Sequence, residues 1–292
     1  MEKFPNFFIV GAPKAGTTSL YYYLKRHPEV FMSPLKEPNF FSYQDTIDQN
    51  LYHKEKGVGT IEEYRRLFAE ANGHHKAVGE ASVSYLFYPA VSKRIKAMVP
   101  DAHIIMSLRN PIDRAYSHYY MEHKLGYVNE SLESIVFKKS RNKNAHLFYQ
   151  QYVELGLYHQ QVKRYLDAFG KERVKVFIHD DLSDKLESMI LSVFDFLKID
   201  KTHIPGLEGK YNTYSVPRNP VFRYLYSQKK LREFAKTLVP YESVEAVKNL
   251  FLTRDRKEGK NEEIIQELKR IYTPDVMELE KLLDRDLSAW YE

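Results

Sequence analysis

The stretch FFIVGAPKAGTTSL, residues 7–20, decides the fold. Its four apolar residues Phe7-Phe8-Ile9-Val10 read as a strand buried on both faces, as strands of a parallel sheet do. A glycine-containing turn follows, and from Thr17 to His27 the pattern is helical. A strand, a turn and a helix in that order aim unpaired backbone N–H groups and the positive helix end at one point, which suits an anion. Gly11 and Gly16 allow tight turning and close backbone approach, while Pro13 stiffens the loop. Lys14 brings a mobile charge, and Thr17 and Thr18 bring hydroxyl donors. The loop departs from the ATP-binding P-loop in one respect. There the lysine directly follows the second glycine, with Ser or Thr next. Here Thr17 follows Gly16 and the lysine stands earlier, at Lys14. A plain strand-to-helix turn capped by Thr17 is the simpler reading of the same residues.

Outward from this stretch the alternation continues. Residues 77–81, Ala-Val-Gly-Glu-Ala, make a second candidate strand, and Pro89 suits the first turn of a helix running to about Met98. A further strand is expected over His103 to Leu108. Asn110-Pro111 then reads as an N-cap with proline at the first helical position, opening a helix to about Lys124. Val174 to Ile178 is another strand, followed by a helix from about Ser183 to Leu197. The region from about Asn129 to Phe169 and most of the chain after Pro220 read as helical, as insertions and a C-terminal layer. Apolar strands alternating with helices imply a parallel sheet covered on both faces. The expected class is α/β: a P-loop-type central parallel sheet flanked by helices, with an additional helical C-terminal region. Residues 1–292 are read as one domain.

Composition narrows the possible partners. The 44 Lys+Arg against 39 Asp+Glu give a net charge of +5, too mild to argue for nucleic acid but suited to an anionic ligand. The chain has no cysteine, so disulfides and cysteine-held metals are excluded, and a reducing cytoplasm is the expected compartment. The apolar stretch near Met1 is too short for a signal peptide, and no run reaches the roughly 18 apolar residues of a membrane helix. The sequon Asn129-Glu130-Ser131 is therefore read as chance.

A second anion site is expected after the strand 103–108. P-loop enzymes hold magnesium with an Asp at the end of a second strand. This strand ends instead in Ser107-Leu108-Arg109, a cation where a metal ligand would stand. An arginine there neutralises an anionic group without a metal; the simpler reading is a solvated surface charge. Ser117 lies about two turns into the following helix, and helical side chains lean back toward the N-terminus. Ile112, Ala115, Tyr116 and Tyr119 can form the buried stripe, which leaves Ser117 off that face. Two phosphate sites at the carboxyl ends of two parallel strands fit a nucleotide lying across the sheet edge.

Together these residues resemble the sulfotransferases that use 3'-phosphoadenosine 5'-phosphosulfate (PAPS). Pro13-Lys14-Ala15-Gly16-Thr17-Thr18 is similar to their 5'-phosphosulfate loop, and Arg109-Asn110-Pro111 with Ser117 to their 3'-phosphate motif. Lys36-Glu37-Pro38-Asn39-Phe40-Phe41 and the chain end, Leu279 to Trp290, resemble the branch holding bacterial and heparan sulfate sulfotransferases. The resemblance implies in-line attack on sulfur by an acceptor hydroxyl or amine, with release of 3',5'-ADP and no metal. It implies Lys14 at the bridging oxygen and Gly16, Thr17, Thr18 and the Ala15 backbone on the 5'-phosphate. Arg109 and Ser117 fall on the 3'-phosphate, and Glu37 matches the glutamate that deprotonates the acceptor. A structural pairing of Glu37 with Lys36 or Lys14 is the alternative. His118 and His123 are rival bases, because cytosolic sulfotransferases of small molecules use histidine. The heparan sulfate enzymes carry a lysine directly after the glutamate of the second strand, whereas Ala81 follows Glu80 here. That departure leans toward the bacterial members and a carbohydrate, lipid-like or other small-molecule acceptor.

The basic run Arg254 to Lys260 is a candidate to close over the 3'-phosphate, or a solvated charge run. Tyr21, Tyr22 and Tyr23 read as helix packing, and Tyr211 and Tyr214 as candidates to line the adenine or acceptor pocket. A P-loop kinase using ATP and magnesium, and a non-catalytic nucleotide-binding protein, are the rival functions.

Overall fold

The computed structural model describes residues 4–52, 57–179, 185–203, 216–217, 252–253 and 260–292. Strand β1 (Phe7–Gly11) leads through a tight loop into helix α1 (Thr17–Lys25), as its sequence dictates. Then come β2 (Val30–Met32), α2 (Tyr43–Gln49), α3 (Ile61–Arg66), β3 (Ala77–Ala81) and α4 (Val91–Met98). The chain continues through β4 (His103–Leu108), α5 (Pro111–Lys124), α6 (Leu132–Val136), α7 (Ala145–Tyr152) and α8 (Tyr158–Phe169). It is followed by β5 (Val174–Ile178), α9 (Leu186–Leu197) and the long α10 (Glu262–Leu283). The five strands form one parallel sheet in the order β2-β3-β1-β4-β5, with Ile9 of β1 in register with Ala81 and Ile105.

Side chains alternate across the sheet, so each strand feeds two cores. Phe8, Val10, Ile104, Met106 and Leu108 pack with α4, α5, α8 and α10 on one face. Phe7, Ile9 and Ile105 pack with Leu20 and Leu24 of α1 and Ile190, Val193 and Phe194 of α9 on the other. Each fully buried Phe or Ile contributes about 1.5–3 kcal/mol by leaving water. The parallel sheet with helices on both faces is the expected α/β class. Among the described residues no helix is long and apolar enough to cross a membrane.

Several local details differ from the sequence reading or lie outside the described residues. Pro89 does not open a helical turn: residues 83–86 form a 3₁₀ turn, Ala90 is the N-cap, and α4 begins at Val91. Strand β2 is three residues long and too short to show a period. The helix before β2 ends at Lys25, and the start expected near Ser183 for α9 lies outside the described residues. After Pro220 the described residues include α10, but also residues 252–253, which pair antiparallel with 216–217 as strands β7 and β6. Tyr21 and Tyr23 pack inside as expected, while Tyr22 stays exposed.

The weak appearance of β3 in the sequence has a packing cause. A Cβ at Gly79 would sit 2.3–2.5 Å from ring atoms of Phe7, so only glycine admits that ring. Its neighbour Glu80 is fully buried and survives by hydrogen bonding, described below.

Candidate active site

The carboxyl ends of β1, β3 and β4 lie side by side, and Lys14, Arg109 and Glu37 gather there. The loop after β1 is stitched to the end of β4 at three points. The Ala12 N–H donates to the Ser107 carbonyl (2.7 Å), the Ser107 hydroxyl donates to the Ala15 carbonyl (2.6 Å), and Arg109 Nη1 donates to the Lys14 carbonyl (3.2 Å). Lys14 is held at φ 68, in the left-handed region, which exposes that carbonyl to Arg109. The sequence reading gave Ser107 no role, although a lone hydroxyl next to the end of an apolar strand was a signal for such a tie to the loop.

Gly16, at φ 82, is the N-cap of α1, and no side chain caps the helix. This corrects the simpler reading of Thr17 as the cap. Thr17 is the first helical residue and buried, and Thr18 is partly exposed. With the cap position left to glycine, the first N–H groups of the helix face the loop without a side-chain acceptor, the arrangement that takes an anion.

Arg109 and Lys14 carry positive charge into this place without a carboxylate partner among the described residues. Lys14 Nζ lies 3.1 Å from the sulfur of Met121 on α5. Burial pushes its pKa down, and the Arg109 charge adds to that, while the carboxylates of Glu122 and Glu37 oppose it. The Arg109 carbonyl accepts the Tyr158 hydroxyl at 3.0 Å, and the Tyr158 ring packs edge-on to Trp290 of the chain end. The terminal motif thus braces the arginine from behind. Asn110 caps α5, accepting from the Ile112 and Asp113 N–H groups. Ile112, Ala115, Tyr116 and Tyr119 are buried and Ser117 is partly exposed, as their spacing predicts.

Glu37 projects from the loop after β2. Its N–H donates to the Ala81 carbonyl at the end of β3 (2.9 Å), and its carboxylate takes the ammonium of Lys36 at 2.5 Å. The pairing with Lys36 is the alternative foreseen for it. Both charges are close enough to act on Lys14, so the glutamate shares the cleft with the lysine.

The two histidines sit differently. His118 is buried, with Nδ1 at 3.1 Å from the Gln151 carbonyl and Nε2 at 3.3 Å from Glu122. Burial lowers its pKa and both ring nitrogens face protein groups, a poor arrangement for meeting an acceptor. His123 stacks on Tyr119 with ring centroids 5.4 Å apart. Sequence reasoning missed the buried polar line beneath Lys14. Arg114, His118 and Glu122 repeat every four residues along one face of α5, and Glu122 accepts the hydroxyls of Tyr52 and Tyr152. Their spacing was the signal, hidden by the expectation that only apolar residues form the stripe.

Tyr211, Tyr214 and residues 254–259 of the basic run lie outside the described residues. Its last member, Lys260, pairs with Asp113 one turn before Ser117.

Comparison with known proteins adds the decisive observation. A family model described as "Sulfotransferase domain" matches residues 4–258. The chain belongs to the sulfotransferase family. This sulfotransferase is similar over 99% of its length to the crystal structure of a sulfotransferase from Alicyclobacillus acidocaldarius, covering all of that chain at 31% identity and TM-score 0.73. Among curated relatives, mouse carbohydrate sulfotransferase 15 is 26% identical over 67% of this chain and 44% of its own length. Membrane-associated sulfotransferase kil1 of Dictyostelium discoideum is 32% identical over 40% of this chain and 22% of its own. The chain therefore spans less than half the length of these curated relatives.

Proposed function

We propose that this sulfotransferase moves the sulfuryl group of PAPS to a hydroxyl or amine of a carbohydrate, lipid-like or other small acceptor, releasing 3',5'-ADP. The observation that carries the reading is the pair of cations, Lys14 and Arg109, beside the glycine-capped start of α1 with no carboxylate partner among the described residues. Two anion-binding places at neighbouring strand ends match a donor phosphorylated at both ends.

PAPS, when bound, supplies an activated sulfuryl group on its 5'-phosphate. Gly16, Thr17, Thr18 and the Ala15 backbone would hold that phosphate, and Arg109 with Ser117 the 3'-phosphate. Lys14 would place its ammonium at the bridging oxygen, where charge develops on the leaving group. Sulfuryl transfer needs less charge neutralisation than ATP chemistry, so a lysine serves without a metal. Glu37 would take the acceptor's proton, which requires Lys36 to release it. Family membership and Thr17 at the Walker lysine position both favour this reading over an ATP-using kinase.

The acceptor class follows from the relatives' names, which include carbohydrate sulfotransferases, and from Ala81 where the heparan sulfate branch carries a lysine. A cysteine-free chain suits the cytoplasm, where we place it. A screen of sugar, lipid-linked and small-molecule acceptors with sulfur-labelled PAPS tests the proposal. Label should appear in at least one class with matching release of 3',5'-ADP. Release of 3',5'-ADP in no case, with any acceptor or with water, would contradict it.

A further inference from the structure

Glu80 lies at the end of β3 with none of its surface exposed, and the reaction outlined above does not use it. Three hydroxyls converge on its carboxyl group: Tyr64 from α3 at 2.7 Å, Tyr85 at 2.8 Å and Ser82 at 2.7 Å. Each of the three hydroxyl-bearing residues then holds one of three consecutive residues in the loop that carries Glu37. The Asn39 N–H donates to the Ser82 hydroxyl at 3.0 Å. The Tyr64 ring stacks on Phe40, with centroids 4.3 Å apart and planes at 12°. The Phe41 N–H donates to the Tyr85 hydroxyl at 3.2 Å. The link to Glu37 is closed by Asn39, whose side-chain Nδ2 donates to the Glu37 carbonyl at 3.1 Å. Glu37 and Asn39 both sit at positive φ, 64° and 52°, so the loop needs such fixing to keep its shape.

We infer that Glu80 is a positioning residue for the reaction: by accepting three hydroxyls it orients the acceptors that clamp Asn39 and Phe41, and so holds Glu37 in place. The inference rests on the reading of Glu37 as the base. The network has a direction. An ionised Glu80 accepts from all three hydroxyls, which leaves the Ser82 and Tyr85 oxygens with lone pairs for the two backbone N–H groups. A protonated Glu80 must donate to one of the three hydroxyl oxygens, and that hydroxyl then loses its buried acceptor. Protonation therefore loosens the loop, and ionisation tightens it. Burial raises the pKa of Glu80 to about 7, with the negative charge of Glu37 adding and the three hydroxyls opposing. Tyr165 of α8, which donates to the Tyr85 carbonyl at 2.7 Å, and Arg94 of α4, which donates to the Phe41 carbonyl at 2.7 Å, also pack beside this cluster. The loop is thus poised to tighten as pH rises through neutrality.

The test uses the full chain, with PAPS as donor and water as the acceptor, so no identified acceptor is needed. In the wild type, turnover should rise through an ionisation near 7. Exchange protection of the Asn39 and Phe41 amides should rise with it. In Glu80→Gln the amide group always donates, so turnover should fall about tenfold to a hundredfold and that ionisation should vanish. KM for PAPS and the Kd for 3',5'-ADP should stay within about twofold. A Glu80→Gln protein with wild-type turnover, or one whose nucleotide affinity falls as far as its turnover, overturns the inference. Should Glu80→Gln not fold, Ser82→Ala and the wild-type exchange data decide. Ser82→Ala must lower turnover and unprotect Asn39, and flat protection of Asn39 and Phe41 across neutrality overturns the inference. A wild type that binds no 3',5'-ADP would sink the donor reading instead, while the exchange data still judge Glu80.

Discussion

The buried carboxyl of Glu80 allows a stability experiment whose sign and size follow from its surroundings. Its pKa moves from an ordinary 4.5 to about 7 on folding, chiefly because burial disfavours the charge. The folded chain therefore holds a proton that the unfolded chain has already lost between these two values. The stabilisation from this group is fully present below 4.5 and is lost as pH rises through about 7. A shift of this size makes the fold about 3 kcal/mol less stable above neutrality than in mild acid. Glu80→Gln keeps an acceptor oxygen and the size of the side chain but cannot ionise. The assay is urea denaturation of both proteins across this range, plotted as the difference between them. Other titrations cancel in that difference, including His118, whose burial works in the opposite sense by disfavouring its charged form in acid. The wild type should lose about 3 kcal/mol more than the variant between mild acid and mild alkali. A flat difference would refute the argument. The ionised state that fastens the Glu37 loop is therefore the less stable one for the whole fold, a trade expected near a working site.

Lys14→Ala should lower turnover by about 10²–10³ while changing 3',5'-ADP affinity by only a few-fold, because its charge is needed most as the leaving group departs. Equal losses in both would mean that it mainly binds. Arg109→Ala removes the charged donor proposed for the 3'-phosphate and should weaken 3',5'-ADP by about 1.5–3 kcal/mol, read by calorimetry; an unchanged affinity refutes that role. Glu37→Gln should cut turnover about 10²–10⁴-fold with nucleotide affinity kept, and a variant as active as wild type would remove Glu37 as the base. Gly79→Ala forces a methyl group into the Phe7 ring and should cost about 1–3 kcal/mol in denaturation, whereas an unchanged midpoint would show the ring can move aside.

The central strands were legible because burial on both faces leaves apolar runs, as in Phe7 to Val10 and Ile104 to Met106. The turn between β1 and α1 was legible because glycines stand on both sides of it, after an apolar run and before a helical one. Strand β2 was not, since three residues carry no period, and β3 reads weakly because its middle is Gly79 and Glu80. Both residues answer to partners distant in sequence: glycine to the Phe7 ring, glutamate to hydroxyls at 64, 82 and 85. The same holds for Arg114, His118 and Glu122, polar residues on a buried helix face that depend on Tyr52, Gln151 and Tyr152. Polar burial is decided by long-range hydrogen bonding, which local pattern does not encode. Thr17 took the first helical position and not the cap, because Gly16 reaches the left-handed conformation that the loop requires there.

The account stands most directly on one titration: calorimetry of the purified chain with 3',5'-ADP and, separately, with ATP and magnesium, each without acceptor. It predicts clear binding of 3',5'-ADP that Arg109→Ala weakens, and no comparable binding of ATP with magnesium. Tight binding of ATP with magnesium and none of 3',5'-ADP would contradict it.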